Sequence, residues 1–369
     1  MTPLKKVMVY AYTRFNLGDD LFIKLLCERY PNTLFVLYAP REYTFLNKEI
    51  NNIKVYSSDS LVFRGINFLF RNLFKKRAFV RQQIAKSCDA SVYIGGSIFM
   101  QSNKWKEEIL SRKSMVVKGK PFLVLGANFG PYMDIEFYNE YKEIFKGYTD
   151  ICFRDSYSYN LFSDLDNVRK ADDIVFQLHD NSTEYRTDNN NIVISVIKPS
   201  YRKALINYND DIYYNKIKEI IVLLIQKGYQ VTLMSFCEFE HDNIAIKEII
   251  ALLPDKYKGM VNEFYYKHDI QAAIEVFKNS NSVIASRFHA MILGWVYNKS
   301  VFPLVYSKKM TNVMNDVGFN GEFSWITEIE NVNSESVLKG IENNRIDVSN
   351  QVENSKGHFK ELDKILFNN

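Results

Sequence analysis

The sequence predicts an α/β protein of two similar open domains facing one cleft, and three observations carry that expectation. Short apolar runs alternate with helical patterns from the start, the sign of βαβ units and a mostly parallel sheet. A polar stretch, "HDNSTEYRTDNNN" (His179 to Asn191), breaks the alternation with turn formers and no apolar period, after which the alternation restarts. At 369 residues the chain is too long for one comfortable core and suits two.

Each element follows from its own pattern. "KVMVYAY" and "TLFVLYA" read as strands on either side of the helical "DDLFIKLLCERY"; "ASVYIGGSIF" and "KPFLVLGANFG" are apolar strands running into glycine turns; "DICFRDSYSYNLF" is a strand followed by a helix. Beyond the polar stretch come the strand "NIVISVI", a helix near "YYNKIKEIIVLLIQKG", the strand "YQVTLMSF", and helices near "DNIAIKEIIALL" and "DIQAAIEVFKNS". The strand "SVIAS", the helix "HAMILGWVYN" and the strand "SVFPLVY" complete the series. The expected domains are therefore 1–180 and 190–345, with a helical tail over 346–369.

Composition narrows the function. With 47% hydrophobic residues the chain can fold without staples. A net charge of +4, from 47 Lys and Arg against 43 Asp and Glu, is small and dispersed, so no nucleic-acid footprint is expected and anion recognition must be local. Cys27, Cys88, Cys152 and Cys237 show no spacing suited to zinc or redox chemistry, which predicts buried reduced thiols, and no metal site is expected. The opening "MTPLKKVMVYAYTRF" lacks a signal-peptide core, and no run reaches the roughly 18 apolar residues of a membrane span. The expected location is the cytoplasm, including the inner face of the membrane.

Ligands of open α/β sheets bind beyond the carboxyl ends of the strands. In "SVIASRFHA" the strand ends near Ser286, so Arg287 and His289 stand beside a helix amino terminus that already favours an anion. A guanidinium offers a bidentate fork and an imidazole offers a proton that moves near neutral pH. Two readings stay open: an anion site, or a structural histidine and an arginine salt-bridged across domains. Arg154, at the end of "DICF", occupies a similar junction, where Asp155 or Ser156 caps the helix and an acid is the alternative partner for the guanidinium.

"SRFHA" followed by "VFPLVYSKKM" resembles the signature of the polysaccharide pyruvyl transferase family. "NLGDD", "YIGGSIF", "LGANFGPY", "CFRDSYS" and "ADDIVF" fall in the family's order, and the resemblance runs from residue 7 to about 320. The chain departs from the pattern in "GANFGPY", where a "GQGIGP"-like segment is usual, and at Asp173, where proline is common; both departures bear on the acceptor.

The resemblance implies a glycosyltransferase-B-like pair of Rossmann-like domains, with the acceptor on the N-terminal side and the donor on the C-terminal side. It implies transfer of the enolpyruvyl group of phosphoenolpyruvate onto two hydroxyls of a sugar, as a cyclic ketal, with phosphoenolpyruvate as co-substrate and no other cofactor. The acceptor would be a nucleotide- or polyprenyl-diphosphate-linked precursor of a surface polysaccharide. Catalysis would fall to His289 as general acid with Arg287 and Arg154; Lys309, in preference to Lys308, Asn16, Gly18, Asp19, Gly95, Gly96, Asn128, Asp172 and Ser286 would bind substrate.

Plainer roles stand beside these. Gly18 permits a turn, Asp19 and Asp20 start a helix, and Gly95 and Gly96 let backbone approach a ligand, with no GxGxxG to support a dinucleotide site. Asp172 orients either a hydroxyl or an arginine. The competing functions are a glycosyltransferase or sugar epimerase of the same architecture, and a noncatalytic glycan-assembly protein. From Leu61 to Gln83, five phenylalanines mix with six Lys and Arg, which fits either a peripheral contact with an anionic membrane or a helix packed on the sheet with a basic rim.

Overall fold

A computed structural model of the chain describes residues 4–76, 78–179, 190–202 and 206–367. The chain forms two compact units: Met1–Thr13, Phe22–Ile174 and Asn354–Asn369 make the first, Arg14–Leu21 and Val175–Glu353 the second. Most of the polar stretch expected to link two domains, 180–189, lies outside the described residues.

In the first unit the strands are β1 (Lys6–Tyr10), β2 (Leu34–Ala39), β3 (Ile53–Ser57), β4 (Ala90–Ile94), β5 (Phe122–Ala127), β6 (Asp150–Phe153) and β7 (Val168–Lys170). They pair in parallel in the order β3-β2-β1-β4-β5-β6-β7. The second unit holds β8 (Asn191–Ser195), β9 (Gln230–Ser235), β10 (Val261–Tyr265), β11 (Ser282–Ala285), β12 (Ser300–Val305) and β13 (Ser324–Trp325). Their order, β10-β9-β8-β11-β12-β13, repeats the first sheet's pattern, again all parallel. Both are doubly wound sheets that switch direction where the first and fourth strands meet, and the carboxyl side of that switch is where such folds place ligands.

Parallel strands covered on both faces must be apolar throughout, and β4, β5, β11 and β12 are buried at every residue. The helix Phe288–Val296 after β11 is buried at every residue except His289, which explains its unbroken apolar pattern. Gly294 lets this helix lie close to the sheet, since a Cβ there would come within 2.5 Å of Val301 Cγ2 and 3.3 Å of Val283 Cγ2. Close seating fixes where the helix begins, and Arg287 and His289 are placed by that start.

Three expectations are corrected. Residues Asn16, Gly18 and Asp19, assigned to a 1–180 domain, belong to the second unit: Leu17 N–H donates to the Phe236 carbonyl at 3.1 Å, Asn16 bridges Cys237, and Tyr266 Oη donates to the Asp20 carboxylate at 2.7 Å. The carboxyl-terminal helices do not form one tail from 346. Asn354–Asn369 counts with the first unit, where Asp363 accepts from Arg29 at 2.6 Å and from Tyr30 at 2.7 Å. The segment expected as one helix over 61–83 is two, Leu61–Phe74 and Phe79–Lys86, and none of the residues in the first of them is fully buried.

Among the described residues all four cysteines are buried and free, no group of three or more His, Cys, Asp or Glu is placed to hold a metal ion, and no helix is long and apolar enough to cross a membrane.

Candidate functional site

The second unit gathers charge beyond the carboxyl ends of β8, β9, β11 and β12. Arg287 caps the helix Phe288–Val296 through its backbone, and its N–H donates to Ser195 Oγ at 3.2 Å, as does the Ser286 N–H at 3.0 Å. Ser286 Oγ also shares a 2.8 Å hydrogen bond with Tyr213 Oη. The buried Arg287 guanidinium donates from one Nη to Glu240 and from the other to Asp242. Glu240 is shared, because Arg202 donates to the same Oε2. Asp242 is fixed in turn by the backbone N–H groups of Phe236 and Cys237, both at 3.0 Å. Of the two readings for Arg287, the salt bridge exists, but it is made inside the second unit.

Arg202 leads on to Tyr306. Its guanidinium carbon lies 4.9 Å from the buried ring's centroid, and Lys309 Nζ lies 5.3 Å from the same centroid and 5.7 Å from that of Phe288. Lys308 is exposed, whereas Lys309 is half-buried against these rings. The Phe288 ring meets His289 edge-on at 5.0 Å.

These contacts set the charge states. Burial alone would raise the Tyr306 phenol, but the cations Lys309, Arg202 and Arg287 outweigh it and bring the group down to about 8. Burial likewise opposes ionisation of Glu240, and Arg287 with Arg202 overcomes it, holding the carboxyl at about 2. Burial pushes Asp242 up against the pull of Arg287, while the two backbone donors and the guanidinium supply the acceptor-only environment of a carboxylate. Arg287, despite burial, is held well above its ordinary value by Asp242 and Glu240. Three cations face two carboxylates, with the half-buried imidazole of His289 beside them.

His289 sits against Gly18. A Cβ built on Gly18 would fall on the imidazole, with Nδ1 the nearest atom. Gly18 is the second residue of the helix Leu17–Arg29, and Asn16 Oδ1 accepts its N–H at 3.1 Å. Its φ is not in the left-handed region, so the expectation of a turn glycine is corrected: what the site needs there is the missing side chain. Asp19, half-buried in the helix's first turn, and Asp20 supply the expected acidic start.

The first unit builds a separate cluster beyond β4, β5 and β6. Arg154 N–H donates to the Ala127 carbonyl at 2.9 Å, while the buried guanidinium donates to Asp173 Oδ2 at 2.9 Å and to Asn128 Oδ1 at 2.7 Å. Ser97 Oγ donates to the same Asn128 oxygen at 3.2 Å. Gly96 lies against the guanidinium, where a Cβ would come within 2.6 Å of Nη1, and Gly95 holds φ +151°, open to glycine. Asp155 caps Ser156–Leu161 by accepting from Ser158 N–H at 2.8 Å, the plainer of its roles. Asp172 is buried next to Asp173.

The family model for polysaccharide pyruvyl transferase matches residues 16–308. The chain belongs to the polysaccharide pyruvyl transferase family. This is a transferase family, and its name attaches it to polysaccharide biosynthesis. No curated protein matches the chain. Among solved structures, UDP-N-acetylglucosamine 2-epimerase of Neisseria meningitidis bound to UDP-GlcNAc superposes with a TM-score of 0.60 at 10% identity, over 98% of this chain and 100% of that one. The Rickettsia bellii UDP-N-acetylglucosamine 2-epimerase gives 0.58 at 10% identity over 99% and 96% of the two chains. HepE of Anabaena, in complex with UDP and glucose, gives 0.56 at 10% identity over 97% and 100%. At such identities the likeness is one of fold, and the fold of this pyruvyl transferase family member is glycosyltransferase-B-like.

Sequence reasoning found Ser286, Arg287, His289 and Lys309 and missed their partners. Glu240 and Asp242 lie in "CEFEHDN" just past β9, Arg202 in "KPSYR" past β8, and Tyr306 directly after β12. Only Tyr306, which directly follows a strand, was findable by the strand-end rule that singled out Arg287. Asp173, noted as a departure from the family's proline, is the counterion of Arg154.

Two outcomes are expected. Because the folded Tyr306 phenol ionises near 8 and an unfolded tyrosine near 10, the unfolded state carries the extra proton between those values and stability rises with pH there. Spectrophotometric titration should show a phenolate step near pH 8 that Tyr306→Phe removes, together with the rise in unfolding free energy. In Gly18→Ala, helix propensity gains up to about 1 kcal/mol, while displacing the ring costs about 1–3 kcal/mol. The fold should survive with a small net loss, and the His289 imidazole resonances should shift in NMR spectra; unchanged resonances would contradict the contact.

Proposed function

We propose that the protein transfers the enolpyruvyl group of phosphoenolpyruvate onto two hydroxyls of a sugar, forming a cyclic ketal and releasing phosphate. The observation that carries this reading is the placement of His289, with Arg202, Arg287 and Lys309, beyond the carboxyl ends of neighbouring strands of one sheet, in a chain of this family. A donor bearing both a carboxylate and a phosphate calls for several fixed cations and one mobile proton.

In this reading Lys309 and Arg202 hold the donor's anionic groups. Arg287, with both Nη atoms committed to Glu240 and Asp242, offers its charge rather than its fork. His289 gives a proton to the methylene carbon as positive charge grows on the central carbon, and the first sugar hydroxyl adds there and loses its own proton. Phosphate then leaves from the central carbon, and the second hydroxyl closes the ring. Two carbon–oxygen bonds form, one to phosphate breaks, and the sequence is redox-neutral, so it calls for no cofactor beyond the co-substrate.

The acceptor is proposed to be a nucleotide- or polyprenyl-diphosphate-linked precursor of a surface polysaccharide, with Gly95, Gly96, Asn128 and Asp172 of the first unit as the residues assigned to it. Arg154, anchored by Asp173 and Asn128, is proposed as a further requirement for turnover.

Incubation with phosphoenolpyruvate and candidate carrier-linked saccharides should release inorganic phosphate, with the glycan gaining the mass of one pyruvate ketal. His289→Ala should lower that rate by about 10²- to 10⁴-fold with an unchanged unfolding midpoint. Consumption of a nucleotide sugar without phosphoenolpyruvate would contradict the proposal in favour of glycosyl transfer or epimerisation.

A further inference from the structure

The helix Leu61–Phe74 of the first unit is held to the body by one face only. Phe63, Ile66, Asn67 and Phe70 are half-buried, with Asn67 donating to Tyr38 Oη at 3.2 Å and accepting from Val80 N–H at 3.0 Å, and Phe70 stacked on Phe79 at 3.5 Å. The rest faces outward and is apolar: Leu61 is 83% exposed, Val62 69% and Leu73 70%, and Phe68, Leu69 and Phe74 are exposed by more than half. In helical register Val62, Leu69 and Leu73 share one stripe, Leu61 and Phe68 the next, and Arg64 and Arg71 the one beyond. The expectation of a helix packed on the sheet accounts for the inward face alone. Scattered apolar residues on a surface need no explanation, but a contiguous patch on one helix with a basic edge does.

Charge decides what covers it. Residues 61–86 contain seven Lys and Arg and no Asp or Glu, in a chain whose charges otherwise nearly balance. Arg81 is committed, donating to Ser114 Oγ at 2.9 Å, but Arg64, Arg71, Lys75, Lys76 and Lys86 are exposed. A second copy of the helix would bring the same cations and no carboxylate to meet them. An anionic lipid surface offers both what the apolar stripes require and what the basic edge requires.

We propose that the helix Leu61–Phe74 seats the first unit on an anionic membrane surface, with Leu61, Val62, Phe68, Leu69 and Leu73 entering the interface and Arg64, Arg71, Lys75 and Lys76 meeting lipid phosphates. The surface is independent of the pyruvyl-transfer reading, since it is tested without donor or acceptor.

The test is co-sedimentation of the full chain with phosphatidylcholine vesicles with and without phosphatidylglycerol, beside size-exclusion chromatography with light scattering. The wild type should bind the phosphatidylglycerol vesicles and not the neutral ones. Leu69→Glu with Leu73→Glu should weaken that binding at least about tenfold, since two apolar contacts become charges repelled by the lipid. Arg64→Glu with Arg71→Glu, which leaves the apolar stripes intact, should weaken it as well, and is the second variant should the first not fold. No binding to phosphatidylglycerol vesicles, binding unaffected by either pair, or a wild-type oligomer that the first pair dissolves without any vesicle binding would overturn the proposal.

Discussion

The candidate site in the second unit depends on one shared carboxylate. Glu240 Oε2 accepts from both Arg202 and Arg287, and without it two guanidiniums would stand together in a site where Arg287 is fully enclosed. A buried charge is tolerated only when paired and hydrogen-bonded, so Glu240 and Asp242 decide that Arg287 can be there at all. The same pairing joins the ends of three separate strands: Arg202 follows β8, Glu240 and Asp242 follow β9, and Arg287 follows β11. Three cations against two carboxylates leave positive charge facing Tyr306. The phenol's lowered ionisation reports that field.

His289 is placed by steric means. Its helix is seated on the sheet through Gly294, and its ring fills the space that Gly18 leaves open. A glycine in the first turn of a helix looks locally like a concession to the turn, and only the fold shows that the vacancy is occupied by an imidazole from a segment far away in sequence. Gly96 does the equivalent for Arg154 in the first unit, where Asn128 and Asp173 supply the hydrogen bonds. In the first unit a glycine and an acid together fix one cation, while in the second a glycine makes room for the imidazole.

The sheets were legible in the sequence because parallel strands are buried on both faces and leave unbroken apolar runs, as β5 and β12 do. Arg287 was legible for the same reason, because it interrupts an apolar pattern. Its counterions were not, because "CEFEHDN" mixes Cys237 and Phe239 with charged residues at no apolar period, and nothing local marks Asp242 as buried or Glu240 as shared. The assignment of Arg14–Leu21 to the second unit was equally hidden, since backbone pairing of Asn16 and Leu17 with Phe236 and Cys237 leaves no trace in side-chain pattern. The basic aromatic stretch after Ser60 showed its composition but not its exposure, which depends on a single inward stripe.

If the donor is held by this cluster, its charge must be felt at Tyr306. The most direct measurement is the phenolate titration of the wild type minus Tyr306→Phe, with and without saturating phosphoenolpyruvate. A bound polyanion beside Lys309 and Arg202 cancels the field that favours the phenolate, so the step near pH 8 should move upward. Donor that binds while the step stays in place would put phosphoenolpyruvate elsewhere and contradict the account.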